Sequence, residues 1–147
     1  MKRFVAAGCI IALLISFLAQ ARKANIEQVV GNPFLEPVKI RCTCYCEHGK
    51  TATGKKTHYG IVAGPKEWLG YTAELNAIND DGSVRELIGL FEFQDTGDGM
   101  DTDGDGKGDS IKNGQSIDVW VPTLKDAYAW RDQYGDYVYI KIFKTKG

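Results

Sequence analysis

The sequence predicts a small, mainly β domain of six or so strands and one short helix, with the sheet closed into a barrel. Segments of strand length that are rich in β-branched and aromatic residues recur from residue 38 to residue 143. Turn residues separate them, most clearly in the run Asn79-Asp80-Asp81-Gly82. Only residues 123–135 show helical spacing. In a single small domain, such a set of elements favours a closed β-barrel.

Each element has its own signal. Apolar and polar side chains alternate from Val38 to Cys46, which is typical of a strand with one buried face. Thr123 with Asp126 resembles the start of a helix, and Gly135 its end. The other expected strands are residues 59–63, a hairpin of residues 71–78 and 84–93 that brings Asp95 to a strand end, residues 117–122 and residues 137–143.

The first 21 residues predict an export signal. Lys2 and Arg3 precede the apolar run VAAGCIIALLISFLA, and alanines at 19 and 21 suit a signal-peptidase site. The run is short for a membrane span, which needs about 20 apolar residues. An uncleaved anchor is the alternative, because basic residues follow directly at 22 and 23. We therefore expect a signal at 1–21, a linker at 22–37 and one secreted domain at 38–147, with no membrane contact after cleavage.

Composition limits the partners. The 147 residues carry a formal net charge of −1, so the basic surface typical of nucleic-acid binding is missing. The length suffices for one domain with a core of its own. We expect a monomer that does not bind nucleic acid.

Three cysteines lie on the inner face of the first predicted strand. Cys42 and Cys46 would be about 13 Å apart at the usual rise of a strand, which is too far for a disulfide. Their simplest role is that of small buried apolar side chains. A zinc site of Cys42, Cys44, Cys46 and His48 is the alternative, but ligands in one line along a strand do not surround a tetrahedral ion.

Two aspartates stand at the edges of apolar strands. Asp95 ends the segment FEFQD, and Asp118 lies within SIDVW. Burial disfavours a charged carboxylate, so such residues are costly unless they are hydrogen-bonded or used in chemistry. Asp95 and Asp118 are therefore the first candidates for catalysis.

The loop between these aspartates, DTDGDGKGD, resembles a calcium loop. Its acidic residues occupy positions 1, 3, 5 and 9 of an EF-type loop, and Gly106 occupies position 6, where a sharp turn is needed. Lys112 stands where a bidentate Glu would complete an EF-hand. A structural Ca²⁺ and a merely solvated acidic loop both fit this pattern. The candidate ligands are Asp101, Asp103, Asp105, Lys107 and Asp109.

Five short motifs occur in a fixed order and resemble a known family. They are Thr43-Cys44-Tyr45, Thr53-Gly54, the GIVA of residues 60–63, Asp95-Thr96-Gly97 and Ile117-Asp118-Val119. Together with the closing VYI strand, this set resembles the 3D domain, named for its three aspartates, over about residues 38–143. The resemblance implies a double-psi β-barrel, as in the catalytic domain of MltA lytic transglycosylases and in small secreted cell-wall enzymes of spore-forming Gram-positive bacteria.

The resemblance also implies the roles of residues. Asp95 is the expected general acid, and Asp118 a second carboxylate that keeps Asp95 protonated or binds the sugar. The family's first aspartate, which precedes a proline, is replaced here by Gly64. No cofactor is expected for catalysis. The residues expected to line the substrate cleft are Tyr45, Thr53, Gly54, Thr96 and Gly97.

The expected function is that of a lytic transglycosylase, which cleaves the glycan strands of peptidoglycan and forms a 1,6-anhydro product. The alternative is a wall-binding or wall-loosening module on the same barrel, which the missing aspartate favours. The DTG motif also occurs in aspartic proteases, but Gln94 before it and Asp98 after it do not suit such a protease, and a single copy would require a homodimer.

Overall fold

The computed structural model describes residues 36–144 of the chain. The predicted signal at 1–21 and most of the predicted linker lie outside the described residues. Six strands and one α-helix form the fold. The strands are β1 (Val38–Tyr45), β2 (Ile61–Ala63), β3 (Thr72–Ile78), β4 (Val84–Asp95), β5 (Ser116–Trp120) and β6 (Tyr137–Phe143), and the helix, α1, is Leu124–Tyr134.

The six strands form one sheet that closes on itself. Their order around the sheet is β1, β5, β2, β4, β3 and β6, and β6 pairs again with β1. Two pairs are parallel, β1 with β5 and β2 with β4. The remaining four pairs are antiparallel. The prediction of a mainly β domain with six strands and one helix is thus confirmed, and within residues 36–144 each strand pairs with two neighbours.

The predicted hairpin is β3 and β4. Its turn is held by hydrogen bonds from the backbone N–H of Asn79 to the carbonyl of Ser83 and from Gly82 to Asn79, both 2.9 Å long. Gly82 has φ +84°, which glycine adopts without strain. Asp95 is the last residue of β4, so the prediction that it ends a strand is confirmed.

Strand β2 is shorter than the predicted segment of residues 59–63. Gly60 has φ +96°, which is incompatible with an extended strand, so β2 begins only at Ile61. All three of its residues are buried, because β2 lies between β4 and β5. This short strand brings the ends of its two neighbours together.

Helix α1 begins and ends where the sequence predicts. The side chain of Thr123 accepts a hydrogen bond from the backbone N–H of Asp126, and Gly135 closes the last turn by donating to the carbonyl of Arg131. Its buried residue, Trp130, packs edge to face against Phe91 with ring centroids 5.8 Å apart. No helix in the described part of the chain has the length and apolar character that crossing a membrane requires.

The core fills the inside of the closed sheet with aliphatic and aromatic side chains from every strand. Cys42 and Cys44 lie in β1, and Cys46 follows its last residue. Cys42 is 3% exposed, and Cys44 and Cys46 pack against the core from its margin. All three thiols are free. Burial raises the pKa of Cys42 well above its usual value and raises that of Cys44 to about 12, so both thiols stay protonated and unreactive at neutral pH.

Candidate active site

Both candidate aspartates flank one residue of β2. Ala63 is the register partner of Asp95 on the parallel strand β4 and of Asp118 on the antiparallel strand β5. Side chains in register on neighbouring strands point to the same face of a sheet. The two backbone positions are separated by two strand spacings, roughly 9 to 10 Å. The fold therefore brings Asp95 and Asp118 to one face, although they are 23 positions apart in sequence.

Asp95 is held by three hydrogen-bond donors. Its Oδ2 accepts from the hydroxyl of Tyr45 at 3.0 Å. Its Oδ1 accepts from the backbone N–H groups of Ala52 and Thr96, each at 2.9 Å. These donors come from three separate segments, the end of β1, the loop after it and the end of β4. The carboxylate of Asp95 is therefore fixed in position as an acceptor.

Asp118 occupies a different environment. Its Oδ1 accepts one side-chain hydrogen bond, 2.9 Å from the hydroxyl of Thr43, its register partner on β1. Burial raises the pKa of Asp118 to about 6; the Thr43 hydrogen bond works against this, and the charge of Glu47 adds to it. Asp118 can therefore hold a proton in mildly acidic solution, as a general acid must.

Tyr45 connects the two aspartates electrostatically. Its hydroxyl donates to Asp95, and burial, this hydrogen bond and the charge of Asp95 raise its pKa strongly, with smaller contributions from Asp118 and Glu47. The phenol therefore keeps its proton at any physiological pH. Tyr45 acts as a neutral donor to Asp95 and not as a base.

The predicted cleft residues fall into two groups. Thr53 and Gly54 belong to a turn beside β4, in which the Thr53 hydroxyl donates to Oε1 of Gln94 and the Gly54 N–H donates to the Thr51 carbonyl at 2.8 Å. This turn presents the Ala52 N–H to Asp95. Thr96 and Gly97 lie on the other side of Asp95, where they line a pocket that also contains Gly64. The structure thus places all five predicted cleft residues around Asp95, although Thr53 and Gly54 support the turn more than they face a cleft.

Sequence reasoning missed two residues of this site, Thr43 as the partner of Asp118 and Glu47 as a third carboxylate near it. Thr43, Tyr45 and Glu47 are two residues apart, so in an extended chain they share the outer face of β1 and of the segment after it. The backbone at Glu47 is held beside β5, because its carbonyl accepts from Nε1 of Trp120 at 2.9 Å. The same alternation that revealed the cysteine face could have pointed to this polar face.

Gly64, where the resemblance expects an aspartate, has no room for a side chain. A Cβ on Gly64 would lie 2.5 Å from Cε1 and 2.7 Å from Cδ1 of Phe93, and 3.1 Å from Cε3 of Trp68. Phe93 is fully buried and packs edge to face on Trp68 at 5.1 Å. An aspartate at this position would therefore have to displace a buried aromatic ring. Aromatic packing fills the space that a side chain at position 64 would need.

The acidic loop brings three of its four aspartates together. One carboxylate oxygen from each of Asp101, Asp103 and Asp105 lies within 4.8 Å of the others. Asp101 also accepts from the backbone N–H groups of Gly104 at 2.6 Å and Gly106 at 2.9 Å, and these hydrogen bonds lower its pKa. These three residues could hold a cation through oxygen ligands.

The remaining two candidate ligands contribute differently. Asp109 is not part of the cluster of three carboxylates; its Oδ1 accepts from the backbone N–H of Thr102 at 2.9 Å and from its hydroxyl at 2.7 Å. Lys107 donates its backbone N–H to Asp105 at 2.8 Å. The base of the loop is closed where Met100 donates to Ser110, whose hydroxyl is 2.8 Å from that of Ser116 at the start of β5. The loop is thus anchored two residues before Asp118.

Taken together, this face offers a partly buried carboxyl group with a raised pKa, a second carboxylate fixed by hydrogen bonds and a neutral phenol between them. A carboxyl group that can hold a proton in mildly acidic solution, with a second, hydrogen-bonded carboxyl group on the same face, suits acid–base chemistry at a glycosidic bond. Comparison of the chain with protein-family models, with curated proteins and with solved structures finds no match.

Proposed function

We propose that this protein cleaves the glycan strands of peptidoglycan as a lytic transglycosylase of the 3D-domain type. The observation that carries the proposal is the register of Ala63 with both Asp95 and Asp118, which brings two carboxyl groups in different environments to one face. The ordered motifs of the sequence support the same assignment.

Asp118 is the general acid and base of the proposed reaction. Its raised pKa leaves it protonated below about pH 6, so it can give its proton to the glycosidic oxygen as the bond from that oxygen to C1 breaks. The resulting carboxylate then takes the proton of the sugar's own 6-hydroxyl as O6 bonds to C1. The 1,6-anhydro product forms without water, and Asp118 ends the cycle protonated. This assignment exchanges the roles expected from the sequence, which made Asp95 the acid.

Asp95 and Tyr45 stabilise charge in this scheme. Positive charge develops on the sugar ring as the bond breaks, and the fixed carboxylate of Asp95 provides a negative charge on the same face. Three hydrogen bonds keep that carboxylate from rotating, so little reorganisation accompanies the reaction. Tyr45 is a positioning residue, because it acts through Asp95.

The topology supports the finer fold assignment. A six-stranded closed sheet with two parallel pairs, β1 with β5 and β2 with β4, is compatible with the double-psi β-barrel that the resemblance implies. In this arrangement Asp95 and Asp118 lie on strands that flank the same short strand, β2. We propose this barrel as the scaffold of the active site.

A second candidate function is a wall-binding or wall-loosening module without catalysis. The packing of Phe93 and Trp68 beneath Gly64 favours it, because this packing excludes the third carboxylate of the family pattern. The two functions differ in product. Only the enzyme releases anhydro-muropeptides.

Incubation of the mature protein with purified peptidoglycan, followed by mass analysis of the soluble fraction, tests the proposal. We expect anhydro-muropeptides from the wild type and a loss of about 10²- to 10⁴-fold in rate for Asp118→Asn, because general acid–base catalysis typically contributes that much. Asp132→Asn, on the exposed face of α1, is the matched control and should keep wild-type activity. Binding to the wall without any anhydro product would support the module instead.

Localisation, oligomeric state and metal binding complete the proposed function. We propose an exported, wall-associated monomer that needs no cofactor for catalysis and that holds a structural Ca²⁺ in the acidic loop. The cluster of Asp101, Asp103 and Asp105 supports the calcium site.

A further inference from the structure

A pocket opens directly beside Asp95, where the parallel strands β2 and β4 end at the same edge of the sheet. Gly64 follows Ala63 at the end of β2, and Thr96 and Gly97 follow Asp95 at the end of β4; these three residues line the pocket. A hydrogen bond of 3.1 Å from the Gly64 N–H to the Asp95 carbonyl joins the two strand ends. We call this space the Gly64 pocket. Its volume of about 530 Å³ lies in the range of small-ligand sites.

Two of the residues that line the Gly64 pocket, Gly64 and Gly97, have no side chain. Phe93 and Trp68, fully buried below Gly64, leave no space for a Cβ at that position. A Cβ at Gly97 would lie 3.1 Å from Cδ1 of Ile111, which is also buried. A side chain at either position would therefore meet the buried core.

The rim of the Gly64 pocket carries both signs of charge. Lys66 and Glu67, on a 3-10 turn at residues 66–68, line the pocket together with Asp98 and Lys112. Lys112 pairs with Asp98 at 2.6 Å. Lys66 and Glu67 make no ion pair within residues 36–144, so one free cation and one free anion face the opening.

This combination of features fits a peptide better than a sugar ring. A neutral sugar offers hydroxyl and amide groups and leaves charged rim residues without partners. The peptide that peptidoglycan carries on alternate sugars has carboxylates and an amine, which can pair with Lys66 and Glu67 respectively. The hydroxyl of Thr96, which makes no side-chain hydrogen bond inside the described part of the protein, is placed to bind a peptide amide.

We infer that the Gly64 pocket receives the peptide stem of the glycan strand, so that peptide-bearing strands are preferred over strands from which the peptides have been removed. The inference rests on the proposed function, since it names the substituent recognised beside the same catalytic face. It makes Lys66 and Glu67 residues that determine specificity.

The test compares kcat/KM on intact peptidoglycan strands with kcat/KM on the same strands after an amidase has removed the peptides. We expect the wild type to prefer the peptide-bearing strands. Lys66→Gln combined with Glu67→Gln should reduce this preference by about tenfold, equivalent to about 1.4 kcal/mol, mainly through KM. Lys55→Gln, an exposed lysine paired with Glu92 at 3.6 Å, is the control and should keep the wild-type preference.

The outcomes separate the inference from the proposed function. If the wild type cleaves both kinds of strand equally, or if the double variant keeps the preference for peptide-bearing strands, the inference is overturned. The proposed glycosidase activity is unaffected by either result. If neither kind of strand is cleaved, the glycosidase proposal fails. Co-sedimentation with insoluble walls, with and without peptides, then decides the inference: tighter binding to peptide-bearing walls that the double variant loses supports it, and equal binding overturns it.

Discussion

At the scale of single residues, burial makes the charged form of Asp118 unfavourable. Its pKa of about 6 in the folded protein lies above the value of 3.8 for an exposed Asp. The folded state therefore binds more protons than the unfolded state between about pH 4 and pH 6, and stability falls as the pH rises through this window. Above the window, the charged carboxylate is a cost to the fold.

Asp118→Asn should remove this cost and leave the shape of the side chain and the hydrogen bond from Thr43. At pH 7 to 8 we expect the variant to be more stable than the wild type by about 2 to 3 kcal/mol, from the size of the pKa shift. Below pH 4 the two proteins should have nearly equal stability. Urea unfolding at several pH values measures the difference, and an unchanged difference across the pH range would contradict it.

Glu47 acts on the proposed reaction through Asp118. Its charge favours the protonated form of Asp118, so Glu47→Gln should lower the pKa of Asp118 and move the loss of cleavage at high pH to a lower pH. The shift should shrink at high salt, because exposed charges are screened. Glu86→Gln, on the distant part of β4, is the control for loss of a charge, and an identical pH profile for both variants would remove Glu47 from this role.

Alanine substitutions at Gly64 and Gly49 compare a glycine packed against a buried ring with one that has open space around it. Gly64→Ala forces a methyl group against the buried ring of Phe93 and should cost about 1 to 3 kcal/mol, as overpacking usually does. Gly49→Ala meets nothing within 4 Å and should change stability little. Thermal unfolding of both variants checks this contrast. Equal melting temperatures would mean that the Phe93 ring can move to accommodate the methyl group at little cost in stability.

At the scale of elements, the acidic loop has a base that is anchored to β5 and a tip that carries the carboxylate cluster. Mutual repulsion among Asp101, Asp103 and Asp105 opposes the compact loop, and a bound Ca²⁺ would remove it. Mass action stabilises the folded state by about 2.7 kcal/mol when the ion is present at 100 times its dissociation constant. Millimolar Ca²⁺ should therefore raise the melting temperature, and Mg²⁺ should raise it less, because Mg²⁺ requires a tighter octahedral site.

The variant Asp103→Asn with Asp105→Asn should abolish this calcium-dependent rise. Asp80→Asn with Asp132→Asn removes the same number of exposed charges elsewhere and should leave the rise unchanged. A wild-type melting temperature that does not respond to Ca²⁺ would show the loop to be a solvated connection.

At the scale of the whole molecule, closure of the sheet makes every strand depend on two neighbours. Strand β6 pairs with both β1 and β3, and Ile140 in its middle is 2% exposed. Ile140→Ala should cost about 2 to 5 kcal/mol, because it leaves a cavity in a packed core. Lys141→Ala, exposed on the same strand, should cost little.

Because the closed sheet encloses a single core, we expect this destabilised variant still to unfold in one step. Circular dichroism and tryptophan fluorescence should give coincident transitions. Separate transitions would mean that the closed sheet opens before the core is lost.

The sequence by itself determined the features that depend on neighbouring residues. Alternation along the chain predicted β1 with its cysteine face, turn residues predicted the β3–β4 hairpin, and Thr123 and Gly135 predicted the ends of α1, because a few adjacent dihedral angles and hydrogen bonds decide such features. The same local signals singled out Asp95 and Asp118. The tertiary structure alone decided how these two differ, since burial and hydrogen-bond partners come from segments distant in sequence. Ala63, in the three-residue strand β2, is the register partner of both aspartates. Tyr45 and Ala52 hold Asp95 by hydrogen bonds, and Phe93 leaves no room for a side chain at position 64. These contacts form only once the sheet has closed.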